Sequence, residues 1–111
     1  MVSAPERGDL IWLSFTPQQG KEQAGRRPAL VLSPATYNNK TGLALVCPIT
    51  SKAKGYPFEV PLPEQGAVHG VVLADQVRSL DWRARQAERI EKAQASVVEQ
   101  AIKLIEALLT S

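Results

Sequence analysis

The feature that most constrains the fold is a change in the spacing of apolar residues along the chain, from a strand-like pattern to a helix-like pattern at the end. Most of the sequence consists of short runs rich in β-branched and aromatic residues, separated by glycine, proline and asparagine. This pattern is typical of strands joined by turns. The final segment instead has apolar residues at the spacing of one helix face. These residues are Val98, Ala101, Ile102, Ile105, Leu108 and Leu109. Strands followed by one helix predict a mainly β fold, a small barrel with a C-terminal amphipathic helix.

The runs of β-forming residues predict the strands, each bounded by turn residues. They cover residues 9–15, 28–33, 43–49, 58–62 and 70–74, the last continuing to residue 80. The third run is apolar almost throughout, which predicts burial on both faces. The polar segment 37–42 predicts a turn. Ser96 and Glu99 have the spacing of a capping box, which predicts that the helix begins there.

Length and the rare residue types limit the class of protein. The 111 residues suffice for one domain with its own core, which we take as residues 1–111. The single cysteine, Cys47, excludes an intrachain disulfide, and its apolar surroundings predict a small core residue. One histidine and no cluster of metal-ligating residues predict neither a metal site nor a cofactor. Without an apolar signal region or a membrane-spanning run, we expect a cytoplasmic protein that binds no membrane.

Positive charge is concentrated in two stretches, although the formal net charge is only +2. Between residues 21 and 56 there is one acid, Glu22, among the basic residues Lys21, Arg26, Arg27, Lys40, Lys52 and Lys54. A second stretch has Arg78, Arg83 and Arg85 with Asp81. Such clustering favours an anionic partner, and a solvated face explains it equally well.

Several segments, taken in order, identify a family. They are Gly8-Asp9-Leu10-Ile11-Trp12, Glu22-Gln23-Ala24-Gly25, Arg27-Pro28-Ala29, 37–42, 54–60, 73–77 and 82–85. Over residues 8–85 the chain resembles the MazF/PemK (Kid) toxins of type II toxin–antitoxin systems, and it resembles the MazF branch more than the PemK branch. The resemblance implies an SH3-like (CcdB/PemK-like) barrel and a homodimer. It also implies metal-independent, sequence-specific cleavage of single-stranded RNA, including mRNA, and inhibition by a cognate antitoxin.

The resemblance also implies a catalytic pair, Arg27 and Thr50. In the PemK/Kid branch an arginine precedes, by two residues, the aspartate that matches Asp75. The corresponding residue here is Leu73, so the machinery of that branch does not transfer and Asp75 is not among the predicted catalytic residues. A guanidinium suits a phosphate because its planar fork donates two parallel hydrogen bonds. A threonine hydroxyl donates to a phosphate oxygen. The general base stays open, with Glu22 as the hypothesis.

Side chains that bind RNA are expected in the loops around this pair, because bases need stacking surfaces and polar edges. We predict Gln19, Lys21, Gln23, Lys54, Tyr56 and Gln76. Trp82 and His69 are not among the predicted RNA-binding residues. Trp82 fits the core or a dimer interface, and His69 fits a loop. Apolar surface from Trp12, Val46 and the terminal helix favours a dimer.

The reaction follows from the parts available. Without a metal-bound hydroxide, the neighbouring 2′-OH is the nucleophile with the highest effective concentration. Its attack leaves a 2′,3′-cyclic phosphate and a 5′-hydroxyl. The basic residues also predict that the antitoxin binds through an acidic, disordered tail. Two alternatives remain, a CcdB-like gyrase poison and a non-catalytic SH3-like interaction module. The nuclease alone requires the 22–28 loop and Thr50.

Overall fold

The computed structural model describes residues 3–15 and 25–111. In these ranges there are seven strands: β1 (Asp9–Ser14), β2 (Arg26–Val31), β3 (Leu43–Thr50), β4 (Glu59–Pro61), β5 (Val71–Leu73), β6 (Arg78–Asp81) and β7 (Glu88–Lys92). The helices are α1 (Ala35–Thr41) and α2 (Ala95–Thr110), and Ala74–Gln76 forms one 3₁₀ turn. The predicted mainly β fold with a C-terminal helix is confirmed. No helix in the described part of the chain is long and apolar enough to cross a membrane.

Strand β3 organises the sheet, and its described pairings are antiparallel. One of its edges pairs with β2 through residues 46–48. Its other edge pairs with β6 through residues 43–46 and with β5 through residues 49–50. The main path is β4-β5-β3-β2-β1-β7, with β6 beside the first half of β3. Strand β3 therefore changes partner along one edge, from β6 in its first half to β5 at its end. The start of β2 lies beside the end of β3, because the two strands are antiparallel.

Successive side chains of a strand point to opposite sides of the sheet. In the central strands both of these sides are buried. One face forms a core of Ala4, Ile11, Leu13, Phe15, Ala29, Val31, Ala44, Val46, Leu80, Trp82 and Ala87. The other face packs under α2 and includes Leu10, Leu30, Leu32, Cys47, Ile49, Val60, Val68, Val72, Val97 and Ala101. Burial of β3 on both faces holds for its second half only, since Leu43 and Leu45 are exposed.

Residues 37–42, predicted as a turn, lie mostly in α1, which ends at Gly42 with a φ of +75°. The reason is a buried polar cluster around Asn38. The Asn38 amide Nδ2 donates to the carbonyl oxygens of Pro5 at 2.8 Å and Ser33 at 2.9 Å. The Trp82 indole donates to the Asn38 carbonyl oxygen at 2.9 Å. Pro5 and Trp82 are distant in sequence, so local turn signals could not predict the helix. The structure places Trp82 in the core.

Three further boundaries differ from the prediction. The α2 helix begins at Ala95 after Gln94, with no side-chain cap hydrogen bond, so the capping box at Ser96 was wrong. The strand predicted from residue 70 to 80 is interrupted by the 3₁₀ turn at Ala74–Gln76. Strand β7 was not predicted, because its sequence is mostly charged and only partly buried or exposed.

An ion-pair cluster around Asp9 ties β1 to β7. The Asp9 side chain is 2% exposed and lies 2.9 Å from an Arg89 nitrogen and 3.0 Å from the Lys92 Nζ. It also accepts the Glu6 backbone N–H at 2.9 Å. Burial by itself raises the pKa of this carboxyl, but the hydrogen bonds from Glu6, Lys92 and Arg89 outweigh it and lower the pKa below its ordinary value.

Candidate active site

Arg27 and Thr50 come from neighbouring strands. The last pair of the β2–β3 ladder joins Ala29 and Pro48. Arg27 lies two residues before Ala29, near the start of β2, and Thr50 lies two residues after Pro48, at the end of β3. The two residues that the sequence predicted as a catalytic pair both line one cleft.

The cleft has a volume of about 830 Å³. Its lining residues are Arg27, Thr50, Ser51, Lys52, Lys54, Tyr56, Phe58, Glu59, Leu73, Asp75 and Gln76. From the predicted site this set includes Arg27, Thr50, Lys54, Tyr56 and Gln76. The other predicted residues, Gln19, Lys21, Glu22 and Gln23, lie outside the described residues. The cleft thus collects predicted residues from three separate segments of the chain.

Thr50 is held firmly at the end of β3, where it is 9% exposed. Its Oγ1 accepts the backbone N–H of Lys52 at 3.2 Å, and a hydroxyl that accepts can still donate its own hydrogen. Gly70 packs directly against it: a Cβ at Gly70, whose φ is +112°, would overlap the Thr50 carbonyl group. Only glycine allows this close approach of two backbones, which fixes the Thr50 position.

The segment after Thr50 forms an exposed basic rim. Residues 52–56 belong to no strand or helix, and the Tyr56 side chain is 59% exposed. The Lys54 Nζ lies 5.8 Å from the centroid of the Tyr56 ring, within cation–π range. The backbone N–H groups of Lys54 and Gly55 donate to the Glu59 carboxylate at the start of β4. The rim therefore presents two lysines and an aromatic face to the cleft.

The charges of the cleft suit an anion. Arg27, Lys52 and Lys54 supply positive charge, and Glu59 and Asp75 are the acids among the lining residues. Hydroxyl groups of Thr50 and Ser51 lie between them. Cations with hydroxyl donors are the groups that bind a phosphodiester and stabilise charge developing on it.

Of two other reactive side chains, Cys47 and His69, only the thiol is excluded from the chemistry. Burial raises the pKa of the Cys47 thiol to about 12, and the Asp75 carboxylate adds to the rise. The thiol is therefore protonated at neutral pH and cannot serve as a nucleophile. The predicted core position of Cys47 is confirmed. His69 is exposed and does not line this cleft, but it lines an adjoining pocket together with Arg27 and Ser51.

The acids of the cleft do not assemble into a ligand set for a metal. Across residues 3–15 and 25–111, no three His, Cys, Asp or Glu side chains lie together as a metal-binding group.

The sequence prediction missed several lining residues. Lys52 was counted only as part of a basic stretch, and Ser51, at the end of the third predicted strand, was not among the predicted site residues. Glu59 was interpreted as an exposed position of a half-buried strand, because its neighbours Phe58 and Val60 alternate with it. Nothing local indicates that its carboxylate binds a loop that precedes it. Leu73, where the PemK/Kid branch has arginine, also lines the cleft and is 7% exposed.

Comparison with known proteins extends along almost the whole chain. Residues 6–109 match the family described as PemK-like, MazF-like toxins of type II toxin–antitoxin systems. The chain is 53% identical over 109 residues to the endoribonuclease toxin MazF of Escherichia coli K12, covering 96% of this chain and 94% of that protein.

Solved structures give the same result for the fold. A crystal structure of MazF from Deinococcus radiodurans matches with a TM-score of 0.94 and 58% identity, covering 97% of this chain and 98% of that one. A MazE–MazF structure from the same organism matches with a TM-score of 0.88 and 59% identity, covering 97% and 98%.

Proposed function

The chain belongs to the family of PemK-like, MazF-like toxins of type II toxin–antitoxin systems, and on this premise we propose that it is an endoribonuclease toxin that cleaves single-stranded RNA in the cleft around Arg27 and Thr50. The observation that carries the proposal is that these two residues, from the neighbouring strands β2 and β3, line one basic cleft. A relative with 53% identity is itself named an endoribonuclease toxin.

The proposed reaction uses the substrate's own 2′-OH. Attack on the adjacent phosphorus forms the P–O2′ bond and breaks the P–O5′ bond, which leaves a 2′,3′-cyclic phosphate and a 5′-hydroxyl. Arg27 binds the phosphate oxygens and stabilises the negative charge that builds up during attack. Thr50 donates its hydroxyl hydrogen to a phosphate oxygen. Glu22, which lies outside the described residues, is proposed as the base that takes the 2′-OH proton, and the leaving O5′ takes up a proton from water to become the 5′-hydroxyl.

The rest of the cleft is proposed to bind the nucleotides beside the cut. Lys52 and Lys54 neutralise neighbouring phosphates, since each such contact releases counterions from the RNA. Tyr56 offers an exposed ring on which a base stacks. Gln76, in the 3₁₀ turn across the cleft, supplies an amide that reads a base edge.

The proposal is tested by comparing two adjacent arginines. Arg27 lines the cleft, whereas Arg26 does not, and the Arg26 guanidinium instead binds Glu88 on β7 at 2.7 Å. We expect Arg27→Ala to lower RNA cleavage by about 100-fold or more, because charge stabilisation is usually the largest catalytic term. Thr50→Ala should have a similar effect. Arg26→Ala should cleave within about twofold of wild type, as for most surface changes.

The same assay separates the alternatives. Near wild-type turnover by folded Arg27→Ala would remove that residue from the chemistry. If the wild-type protein cuts no RNA but binds gyrase, the chain is a CcdB-like poison. Binding of RNA with no turnover at any enzyme concentration would indicate a non-catalytic module. Growth arrest on expression should be lost together with cleavage.

We also propose a homodimer. Large apolar side chains are exposed at two places, Leu43 and Leu45 on β3 and Leu108 and Leu109 at the end of α2. Trp12 is 41% exposed, while Val46 is fully buried and contributes nothing, contrary to its predicted role. Exposed apolar groups of this kind are what a subunit interface covers. Sedimentation at the 12.1 kDa mass of one chain at micromolar concentration would contradict the dimer.

A cognate antitoxin is the proposed cellular partner, and the cytoplasm the proposed compartment, because the RNA substrate is there. The MazE–MazF structures from Deinococcus radiodurans support such a partner. We propose that an acidic, disordered tail of the antitoxin occupies the basic cleft and excludes RNA. Affinity should fall as salt rises, and the complex should not cleave. A salt-independent complex that still cleaves RNA would contradict this arrangement.

A further inference from the structure

Glu59 is a carboxylate in a cleft proposed to bind a polyanion. It lines the same cleft as Arg27 and Lys54 and is only partly buried. A negative charge there repels RNA phosphates by simple Coulomb interaction. The cleft would bind RNA more strongly with a neutral residue at this position, unless the carboxylate does something that a neutral residue cannot.

The contacts of Glu59 show what that is. Its Oε1 accepts the Gly55 backbone N–H at 2.9 Å, and its Oε2 accepts the Lys54 backbone N–H at 3.0 Å. The Lys54 N–H also lies 3.2 Å from Oε1. Gly55 has a φ of +79°, in the left-handed region. The Glu59 side chain, four residues after Gly55 and five after Lys54, thus accepts hydrogen bonds from two consecutive backbone amides of the loop.

These two amides belong to the peptide that carries the rim. Residues 52–56 are exposed and lie outside any strand or helix, so no ladder of hydrogen bonds fixes their backbone. Lys54 and Tyr56 flank Gly55, and the Lys54 Nζ lies over the Tyr56 ring at 5.8 Å. The orientation of both side chains depends on the peptide between them. Charge-assisted hydrogen bonds are about twice as strong as neutral ones, which suits them to fixing a loop.

We propose that Glu59 is a positioning residue for RNA: its carboxylate fixes the Lys54–Gly55 peptide so that Lys54 and Tyr56 face the bound nucleotides. The inference rests on the proposed RNA cleavage and deepens it, since it names what arranges the rim of that site. Glu59 itself touches neither the scissile phosphate nor the 2′-OH.

The proposed positioning role and a purely electrostatic role predict opposite changes in KM when the carboxylate is removed. If the carboxylate acted only through its charge, removing it would strengthen RNA binding and lower KM. If it positions the loop, Glu59→Ala raises KM, because the rim side chains lose their orientation. Glu59→Gln removes the same charge but keeps Oε1, the atom that faces both N–H groups. The two variants therefore separate charge from position.

The experiment measures kcat and KM of the full chain on a short RNA with a mapped cleavage site. Glu59→Ala should raise KM by about tenfold, the scale of one charge-assisted hydrogen bond. Its kcat should stay within about threefold, because the reacting groups are untouched. Glu59→Gln should have a KM between those of wild type and the alanine variant. An unchanged or lower KM for Glu59→Ala overturns the proposal.

A collapse of kcat in both variants also overturns it, because that would make Glu59 the general base. The matched control is Glu91, whose carboxylate accepts the Ala67 N–H at 2.8 Å in a loop outside the cleft. Glu91→Ala removes the same kind of carboxylate-to-loop bond. It should leave KM within about twofold of wild type, as for most surface changes. A KM increase equal to that of Glu59→Ala would mean that the effect is general destabilisation.

Two readouts do not depend on cleavage. Amide exchange of Gly55, followed by NMR, should be about tenfold faster in Glu59→Ala than in wild type. The Kd for a 2′-deoxy RNA analogue should rise by about the same factor as KM. If the wild-type protein cuts no RNA, the proposed function fails, yet these two readouts still decide the role of Glu59. Unchanged exchange and unchanged Kd would overturn the positioning role by themselves.

Discussion

In each of two polar clusters of this fold, one side chain binds two backbone groups, but one cluster is buried and the other is exposed. In one, the buried Asn38 amide holds the carbonyl groups of Pro5 and Ser33. In the other, the Glu59 carboxylate holds the amides of Lys54 and Gly55 at an exposed rim. An unsatisfied polar group is costly only when water is excluded. The Asn38 cluster therefore decides stability, while the Glu59 cluster decides the orientation of side chains that meet a ligand.

The difference shows how one small sheet supports a rigid frame and an adaptable cleft. The Asn38 cluster joins the N-terminal segment, α1 and Trp82 around one core. The cleft lies where β2 begins and β3 ends, and its rim, residues 52–56, is exposed. Substitutions in the frame should unfold the protein without changing the chemistry of molecules that remain folded. Substitutions at the rim should do the reverse.

The largest effect on stability is expected for Asn38→Ala. The change leaves buried carbonyl groups of Pro5 and Ser33 without the amide donor. We expect a loss of roughly 3 kcal/mol or more of unfolding free energy, since several satisfied groups are affected at once. The exposed neighbour on the same helix, Asn39, is the control, and Asn39→Ala should change stability by less than about 0.5 kcal/mol. Urea denaturation measures both, and equal losses would show that the cluster has no special weight.

A smaller effect that depends on pH is expected for Asp9→Asn, which breaks the β1–β7 ion pairs. Hydrogen bonds to the charged form are worth about 2 kcal/mol, and we expect that loss at pH 7. Folding lowers the pKa of Asp9 below its ordinary 3.8. Its contribution is therefore present above that pH and is lost as the pH falls through the lower folded value.

The acid titration provides the check on Asp9. Wild type and Asp9→Asn should differ in unfolding free energy at pH 7, and the difference should shrink as the pH drops below 3.8. A difference that stays constant between neutral and acid pH would mean that the carboxylate contributes through packing rather than through its charge.

The smallest effect on stability is expected at the rim, for Lys54→Ala. The side chain is exposed, so unfolding free energy should change by less than about 0.5 kcal/mol. RNA binding should weaken, and the slope of log K against log salt should fall by roughly 0.7, the value for one contact to a single strand. Lys40, exposed on α1 and outside the cleft, is the control, and Lys40→Ala should leave the slope unchanged.

The frame was only partly predictable from the sequence. Apolar runs predicted the positions of β1, β2 and β3, because buried strands consist mostly of apolar residues. Helix α1 was predicted as a turn, because two of the groups bound to Asn38, in Pro5 and Trp82, are far away in sequence. Strand β7 was missed, since charged residues at a sheet edge have no apolar alternation.

The cleft was predictable where the family motif names a residue. Arg27 and Thr50 were chosen from the resemblance, and both line one cleft because β2 and β3 are neighbouring antiparallel strands. Glu59 could not be found in this way, because its partners are two backbone amides of a loop that has no side-chain signature. A hydrogen bond from a backbone group leaves no trace in the identity of the donor residue.

The central claim, cleavage by 2′-OH attack in the Arg27–Thr50 cleft, is tested most directly by a pair of RNA substrates in excess chelator. One is a short RNA with a mapped cleavage site, and the other has a single 2′-deoxy nucleotide just upstream of the scissile phosphate. Both should bind, and only the first should be cut, yielding a 2′,3′-cyclic phosphate and a 5′-hydroxyl, because the nucleophile is held at high effective molarity. Cleavage of the deoxy substrate, or cleavage only when magnesium is restored, would contradict the account.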